Sequence, residues 1–385
     1  MKILSLPHLA GWGVLFAGLS LALPAAADAP SFDTTAKEAI VIDYQTHAVM
    51  YAKNADERIP TASLSKIMTA YTVYGYLVDG KAKLDDMLPV SEAAWRTGGS
   101  KMFVPYPGEV KVDDLLRGMI IQSGNDACVV LAEGLAGSQQ AFVEKMNENA
   151  KKLGLKDSHY ADVNGLPSPD HYMSVRDLAT LTWHLIHDYP QFYHYEAQKD
   201  FTYNGIKQGN RNPLLYKDLG ADGVKTGHTE EAGYSLVGSA VRNGRRVIIV
   251  LAGMNSMKER AEEGERVLDW AYRESSNYTI VKQGATIDDA PVWMGVAQQV
   301  PVAPAKDVLV TLARGDRKNV KVTAVYDGMV KAPVTKGETV GKLIIAMPDG
   351  APIDVPLQAT QAVDRLGPLG RMAETAGYLL WGGRR

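Results

Sequence analysis

The sequence predicts an α+β or mixed α/β domain followed by a smaller all-β domain. Three observations carry this. β-rich runs lie near residue 40 and again near residue 240, and the segment between them has mostly helical spacing. Near Ser275 the pattern shifts to β runs separated by Gly, Pro and Asp turns. Strands that open and close a helical segment imply one sheet built from both of its ends.

The elements follow in order. "EAIVIDY" (Glu38–Tyr44) and "AVMYAK" (Ala48–Lys53) form a predicted hairpin across "QTH". Pro60 closes the extended part, and Ile67, Ala70, Tyr74 and Leu77 then recur at helical spacing until Gly80. Further helices are predicted over "VDDLLRGMI", "NDACVVLAEGLAG", "QAFVEKMNENAKKLGL" and "SVRDLATLTWHLIHDYP". The last opens with Ser174 and Asp177 and stops at Pro190. "GYSLVGSAV" and "RRVIIVLAG" flank Asn243-Gly244, a strong hairpin signal. The charged helix "KERAEEGERVLDWAYRE" follows, and then the β runs "DVLVTLA", "VKVTAVY" and "KLIIAM".

A chain of 385 residues, 46% hydrophobic and 22% charged, is expected to be globular and to hold two domains. A net charge of −3 with no long basic run gives no nucleic-acid partner. Cys128 is the single cysteine, which excludes an internal disulfide; it reads as a small buried apolar residue. Lys2, an apolar stretch from Leu9 to Leu23 and "LPAAADAP" predict a secretory signal peptide cut near Asp28. At the other end, Leu366, Leu369, Met372, Ala376 and Leu380 recur at helical spacing beside Arg365, Arg371, Arg384 and Arg385. Tyr378 and Trp381 suit an interface, Pro368 suits a first turn, and Gly367, Gly370 and Gly377 weaken the helix. These residues leave a membrane-surface helix and an ordinary frayed terminus equally open.

Three short stretches can carry chemistry. "TASLSKIMTA" sets Ser63 and Lys66 three apart at a helix start. A serine hydroxyl needs a nearby base, and a lysine serves only if burial or a second cation lowers its pKa. The helix N-terminus would favour developing negative charge. "IQSGNDACVV" places Ser123 and Asn125 two apart before a helix, where capping alone would explain them. "DGVKTGHT" reads as a strand carrying Lys225, Thr226, Gly227 and His228; Lys225 would supply a second cation, and Gly227 would admit a close backbone approach. Arg96-Thr97-Gly98 is a rival tripeptide, but no β run follows it.

Ser-x-x-Lys, Ser-x-Asn and Lys-Thr-Gly in this order form the signature of active-site serine penicillin-recognising enzymes. The wider stretches "IIQSGNDACVVLAEGLAGS", "LGLKDSHYADVNGL" and "VDGVKTGHTEEAGYSLVGSA" resemble the low-molecular-mass D-alanyl-D-alanine carboxypeptidases of the penicillin-binding protein 5 type, serine peptidase family S11. The resemblance spans Ala36 to Trp270 and is looser beyond. It implies a penicillin-recognising serine transpeptidase/β-lactamase-like fold, with a central antiparallel sheet and a helical subdomain, before a smaller all-β domain. It also implies a signal peptide over 1–27, a DD-peptidase domain over 28–275, a β-rich domain over 276–360 and an amphipathic membrane-anchor segment over 361–385.

The resemblance further implies roles. Ser63 would be the nucleophile and Lys66 its base. Ser123 would relay a proton, Asn125 would hold substrate, and Lys225 would tune the charge. The N–H groups of Ser63 and His228 would form the oxyanion hole. Thr226 and Thr229 match hydroxyl positions, and Arg211, in "GNRNPLL", matches a carboxylate-binding arginine. Expected partners are peptidoglycan stem peptides ending in D-Ala-D-Ala, β-lactam antibiotics as inhibitors, and the outer face of the cytoplasmic membrane through the C-terminal segment, for a periplasmic protein. A serine β-lactamase is the chief competitor, but the sequence lacks a Glu-x-x-Leu-Asn motif and offers Asp162 and Asp170 in the comparable stretch. An inactive peptidoglycan-binding scaffold is the non-enzyme alternative. No metal or cofactor is expected, because the histidines lack ligand spacing.

Overall fold

Strands from both ends of the first segment do meet in one antiparallel sheet. The computed structural model describes residues 32–348 and 351–381; the expected signal peptide lies outside them. The chain opens with β1 (Glu38–Asp43) and β2 (Val49–Lys53), which pair as a hairpin. A 3-10 turn, Ala62–Ser65, leads into α1 (Lys66–Val78). The small ribbon of β3 (Met87–Pro89) and β4 (Glu109–Lys111) brackets α2 (Glu92–Arg96). The helical subdomain continues with α3 (Val112–Ile121), α4 (Asn125–Ala136), α5 (Gln139–Lys152) and α6 (Val175–Asp188).

The chain returns through a second ribbon, β5 (Asp200–Tyr203) and β6 (Ile206–Gly209), to three long strands: β7 (Ala221–Thr229), β8 (Gly233–Arg242) and β9 (Arg245–Met254). Sheet order is β2-β1-β9-β8-β7, so β2 and β7 are the edges. Asn243 and Gly244, at φ 52° and 77°, close the β8–β9 hairpin as the sequence predicts, because both central residues of such a turn need positive φ. β9 is buried over Val247–Met254 and packs between α6 and α7 (Met257–Glu274). Burial on both faces explains its continuous apolar run.

α1 has no solvent face over its first half. Every residue from Lys66 to Tyr74 is buried, packed against α3, α4, α5 and α6. Leu64, Met68 and Tyr74 join Leu115, Met119, Phe142 and Ile248 in one core. A helix buried all round carries its polar side chains into the interior with it.

Beyond α7 come β10 (Ser275–Val281), β11 (Asp288–Trp293), β12 (Gln299–Pro304), β13 (Val308–Ala313), β14 (Lys321–Val325), β15 (Val330–Lys331), β16 (Thr339–Ala346) and β17 (Ile353–Ala359). Six form a sheet in the order β14-β16-β17-β12-β11-β15, while β10 pairs with β13. Chain contacts separate two units, Thr34–Tyr278 with Leu309–Gly315, and the remainder. Leu309–Gly315 thus group with the first unit although they follow the composition shift. The described residues close with α8 (Pro368–Trp381), which starts at the proline the sequence marks for a first turn.

Candidate active site

Ser63 sits in the 3-10 turn rather than at the start of the α-helix, and no side-chain cap is made there. This corrects the helix-start reading and strengthens the pairing, because residues three apart eclipse in a 3-10 turn. Lys66 Nζ lies 2.9 Å from Ser63 Oγ. The same nitrogen reaches Asn125 Oδ1 at 2.8 Å and the Asn164 carbonyl at 2.5 Å. An ammonium satisfies all three acceptors. A neutral amine donates to the two amide oxygens and turns its lone pair to the Ser63 hydroxyl.

Asn125 and Ser123 do not cap α4, contrary to what their sequence context alone favours. Asn125 Nδ2 donates to the Gly98 carbonyl at 2.8 Å, so both ends of the amide are held. Ser123, at φ 64°, turns its Oγ to Lys225 Nζ at 3.0 Å. The discounted Arg96-Thr97-Gly98 stretch therefore lines the site through a carbonyl and forms no strand.

Lys225 lies on edge strand β7, and Gly227 follows where the strand crosses the serine turn. A Cβ on Gly227 would lie 2.9 Å from the Thr61 carbonyl and 3.0 Å from Leu64. Only a residue without a side chain allows this approach. Thr226 is buried, whereas His228 is exposed with its ring 3.9 Å from that of Tyr234. Thr229 Oγ1 accepts from the Ala232 N–H and closes the β7–β8 turn.

Burial pushes Lys66 below the ordinary lysine range; Cys128 and Asp162 oppose the shift, and Arg211 adds to it. Lys225 is pushed well below, first by burial and then by the charges of Lys66 and Arg211. Burial, rather than the second cation, leads in both shifts. Burial raises the Cys128 thiol to about 12, which fits an inert apolar cysteine.

Arg211 Nη1 donates to Ser100 Oγ at 2.7 Å, and no carboxylate pairs with it among the described residues. Asp162, a candidate for deacylation by sequence position, is engaged elsewhere. Its Oδ1 accepts the N–H groups of Asn164 and Gly165 at 2.8 and 2.6 Å. Asp170 is exposed. The Asn164 carbonyl was missed by sequence reasoning. Asp162, Asn164 and Gly165 mark a turn, but nothing in them says which carbonyl faces Lys66. A hollow of about 440 Å³ lies in the β-rich unit beside Asp327 and Glu338; no serine lines it, so volume does not mark this site.

The sheet, the helical subdomain and this serine–lysine centre define the class of active-site serine penicillin-recognising enzymes. The comparisons narrow it. The family model of D-alanyl-D-alanine carboxypeptidase matches residues 24–256, and that of the penicillin-binding protein 5 C-terminal domain matches 276–365. The chain belongs to the D-alanyl-D-alanine carboxypeptidase family, serine peptidase S11. It is 40% identical to the D-alanyl-D-alanine carboxypeptidase DacC of Escherichia coli, covering 93% of this chain and 91% of that one. It is 37% identical to DacA of Haemophilus influenzae over 88% of each. The crystal structure of penicillin-binding protein 5 from Haemophilus influenzae matches with a TM-score of 0.79 at 38% identity, over 86% of this chain and 98% of that one. Penicillin-binding protein D2 from Listeria monocytogenes, in its ampicillin-bound form, matches with a TM-score of 0.58 at 30% identity, over 63% and 98%.

Proposed function

We propose that this enzyme removes the terminal D-alanine from peptidoglycan stem peptides ending in D-Ala-D-Ala, through an acyl-enzyme on Ser63. The observation that carries the reading is the buried Lys66 amine 2.9 Å from Ser63 Oγ, with two fixed oxygens taking its other hydrogens. Lys66 takes the Ser63 proton as Oγ attacks the carbonyl carbon of the penultimate D-alanine. The N–H groups of Ser63 and His228 receive the oxyanion. The tetrahedral intermediate collapses, and the proton held by Lys66 passes through Ser123 to the departing amine while Lys225 stabilises the relay, which leaves Lys66 neutral. Water, deprotonated by Lys66, then cleaves the ester and restores Ser63.

The leaving residue carries a carboxylate. Arg211, a cation with no carboxylate partner among the described residues, suits it, and Thr226 and Thr229 on β7 offer hydroxyls. Arg211→Ala should therefore reduce peptide turnover by ~10-fold or more while leaving penicillin acylation within about 3-fold. Paired assays of D-alanine release and penicillin labelling check this; equal loss in both removes Arg211 from the carboxylate role.

β-Lactams act as covalent inhibitors on the same serine. The ampicillin-bound relative supports slow deacylation, as does Ser63 Oγ, which meets Lys66 and, among the described residues, no carboxylate. The signal peptide over 1–27 and a surface-lying segment over 361–385 would make the protein periplasmic and peripherally attached. α8 exposes Leu369, Met372, Leu379 and Leu380, which favours a lipid surface. No helix among the described residues is long and apolar enough to cross a membrane.

A further inference from the structure

Asp162 and His171 take no part in the steps above, yet they join the two segments that hold Lys66. Both belong to the loop between α5 and α6, which also carries the Asn164 carbonyl. Asp162 Oδ1 fixes that carbonyl's peptide by accepting from the N–H groups of Asn164 and Gly165. Its other oxygen, Oδ2, lies 3.3 Å from His171 Nδ1. The far side of the ring, Nε2, lies 2.6 Å from Ser65 Oγ, and Ser65 Oγ lies 2.6 Å from Thr61 Oγ1. Ser65 and Thr61 flank Ser63 on the 3-10 turn, and Thr61, Ser65 and His171 are all buried. The Ala161 N–H donates to His171 Nδ1 at 3.4 Å; in that tautomer Nε2–H donates to Ser65 Oγ, and in either tautomer the ring bridges the loop and the serine turn.

The contact between loop and turn is also close. Gly165 has φ +82°, and a Cβ there would lie 1.9 Å from the Ala62 carbonyl. Thr69 Oγ1 on α1 ties the neighbouring Val163 carbonyl at 2.8 Å. The loop is thus clamped to the serine turn on one side and to the lysine helix on the other. A lysine amine on a four-carbon stem rotates freely unless its hydrogens are taken. Asn125 takes one and the Asn164 carbonyl takes another, which leaves one direction for the lone pair.

We propose that Asp162 and His171 are positioning residues for Lys66: by fixing the Asn164 carbonyl against the serine turn, they direct the amine's lone pair at Ser63 Oγ. The inference rests on the reading of Lys66 as the base. Its effect is on the chemical steps rather than on substrate binding, because Arg211, Thr226 and the β7 edge are left in place.

The test is stopped-flow acylation of the full chain by benzylpenicillin, together with kcat and KM for D-alanine release. His171→Ala should slow acylation by ~10- to 100-fold through misplacement of the base, and kcat should fall by the same factor with KM unchanged. His171→Gln, whose side-chain amide reaches Ser65, should recover the rate to within ~3-fold of wild type. Should His171→Ala fail to fold, Asp162→Ala, at a half-exposed position, should show the same loss in kcat. Wild-type acylation in folded His171→Ala or Asp162→Ala overturns the proposal, as does a folded His171→Gln as slow as His171→Ala. Failure of the wild-type protein to label at Ser63 overturns instead the reading of the base on which the proposal stands.

Discussion

Lys66, the proposed base, is a surface residue type taken into the interior. It is the first residue of a helix whose first half is buried on every side, so the residue is 1% exposed and its amine loses solvation. Its folded pKa falls below the unfolded value of 10.5. The acylation rate should therefore rise with pH as Lys66 loses its proton and level off below pH 10.5; a rate that falls across that window would contradict the role. Ser63→Ala should abolish acylation, and Lys66→Ala should lower it by more than the ~10²–10⁴ of a general base, since the proposed mechanism uses the amine in both steps. Lys225 has the same sign of shift. Between its folded pKa and 10.5 the unfolded chain binds more protons, so stability rises with pH through that window and is poorest below it. Lys225→Met should thus raise Tm at pH 7 by ~2 °C, with the gain vanishing as pH nears 10.5, while acylation drops. Thermal unfolding at pH 7 and pH 10 checks this, and a lower Tm at pH 7 contradicts it. At this scale the three motifs were legible because their spacing is local. The Asn164 carbonyl and the Asp162–His171–Ser65 chain were not, because backbone atoms and contacts across 106 residues leave no local pattern.

The elements decide whether those residues meet. Ser63 and Lys66 come together within one turn, but Lys225 reaches Ser123 across 102 residues because β7 is the sheet edge facing that turn. The crossing depends on Gly227. Gly227→Ala would set a methyl 2.9 Å from the Thr61 carbonyl and push strand and turn apart. A displacement on the order of 1 Å costs ~10² in rate, and penicillin acylation should fall by that factor with the fold retained by circular dichroism. Unchanged acylation would mean that the strand's position is not critical. The hairpins and most helices were readable from periodicity and from turns such as Asn243-Gly244. The 3-10 geometry at Ser63 was not, because a 3-10 turn and a first α-helical turn present the same apolar spacing.

For the whole molecule, the composition shift near Ser275 announces a β-rich part and leaves the tail's helical state open, and the two units do not divide cleanly along the chain. Leu309–Gly315 group with the first unit because β13 pairs with β10, a pairing that no composition shift announces. α8 is expected to hold the enzyme at a lipid surface without contributing to chemistry. Deleting Asp364–Arg385 should release the protein from membrane fractions and leave D-alanine release within about 2-fold; retention on membranes after deletion would place the attachment elsewhere. The tail's residues leave its role open, because an amphipathic pattern suits a lipid surface and a frayed terminus alike.

One measurement reaches the centre of the account: mass spectrometry of the protein after brief exposure to benzylpenicillin, with the modified peptide sequenced and the adduct followed over time. Ser63 alone should carry the penicilloyl group, and the ester should persist far longer than a D-Ala-D-Ala peptide takes to turn over. No adduct, an adduct on another side chain, or one hydrolysed within seconds would contradict it.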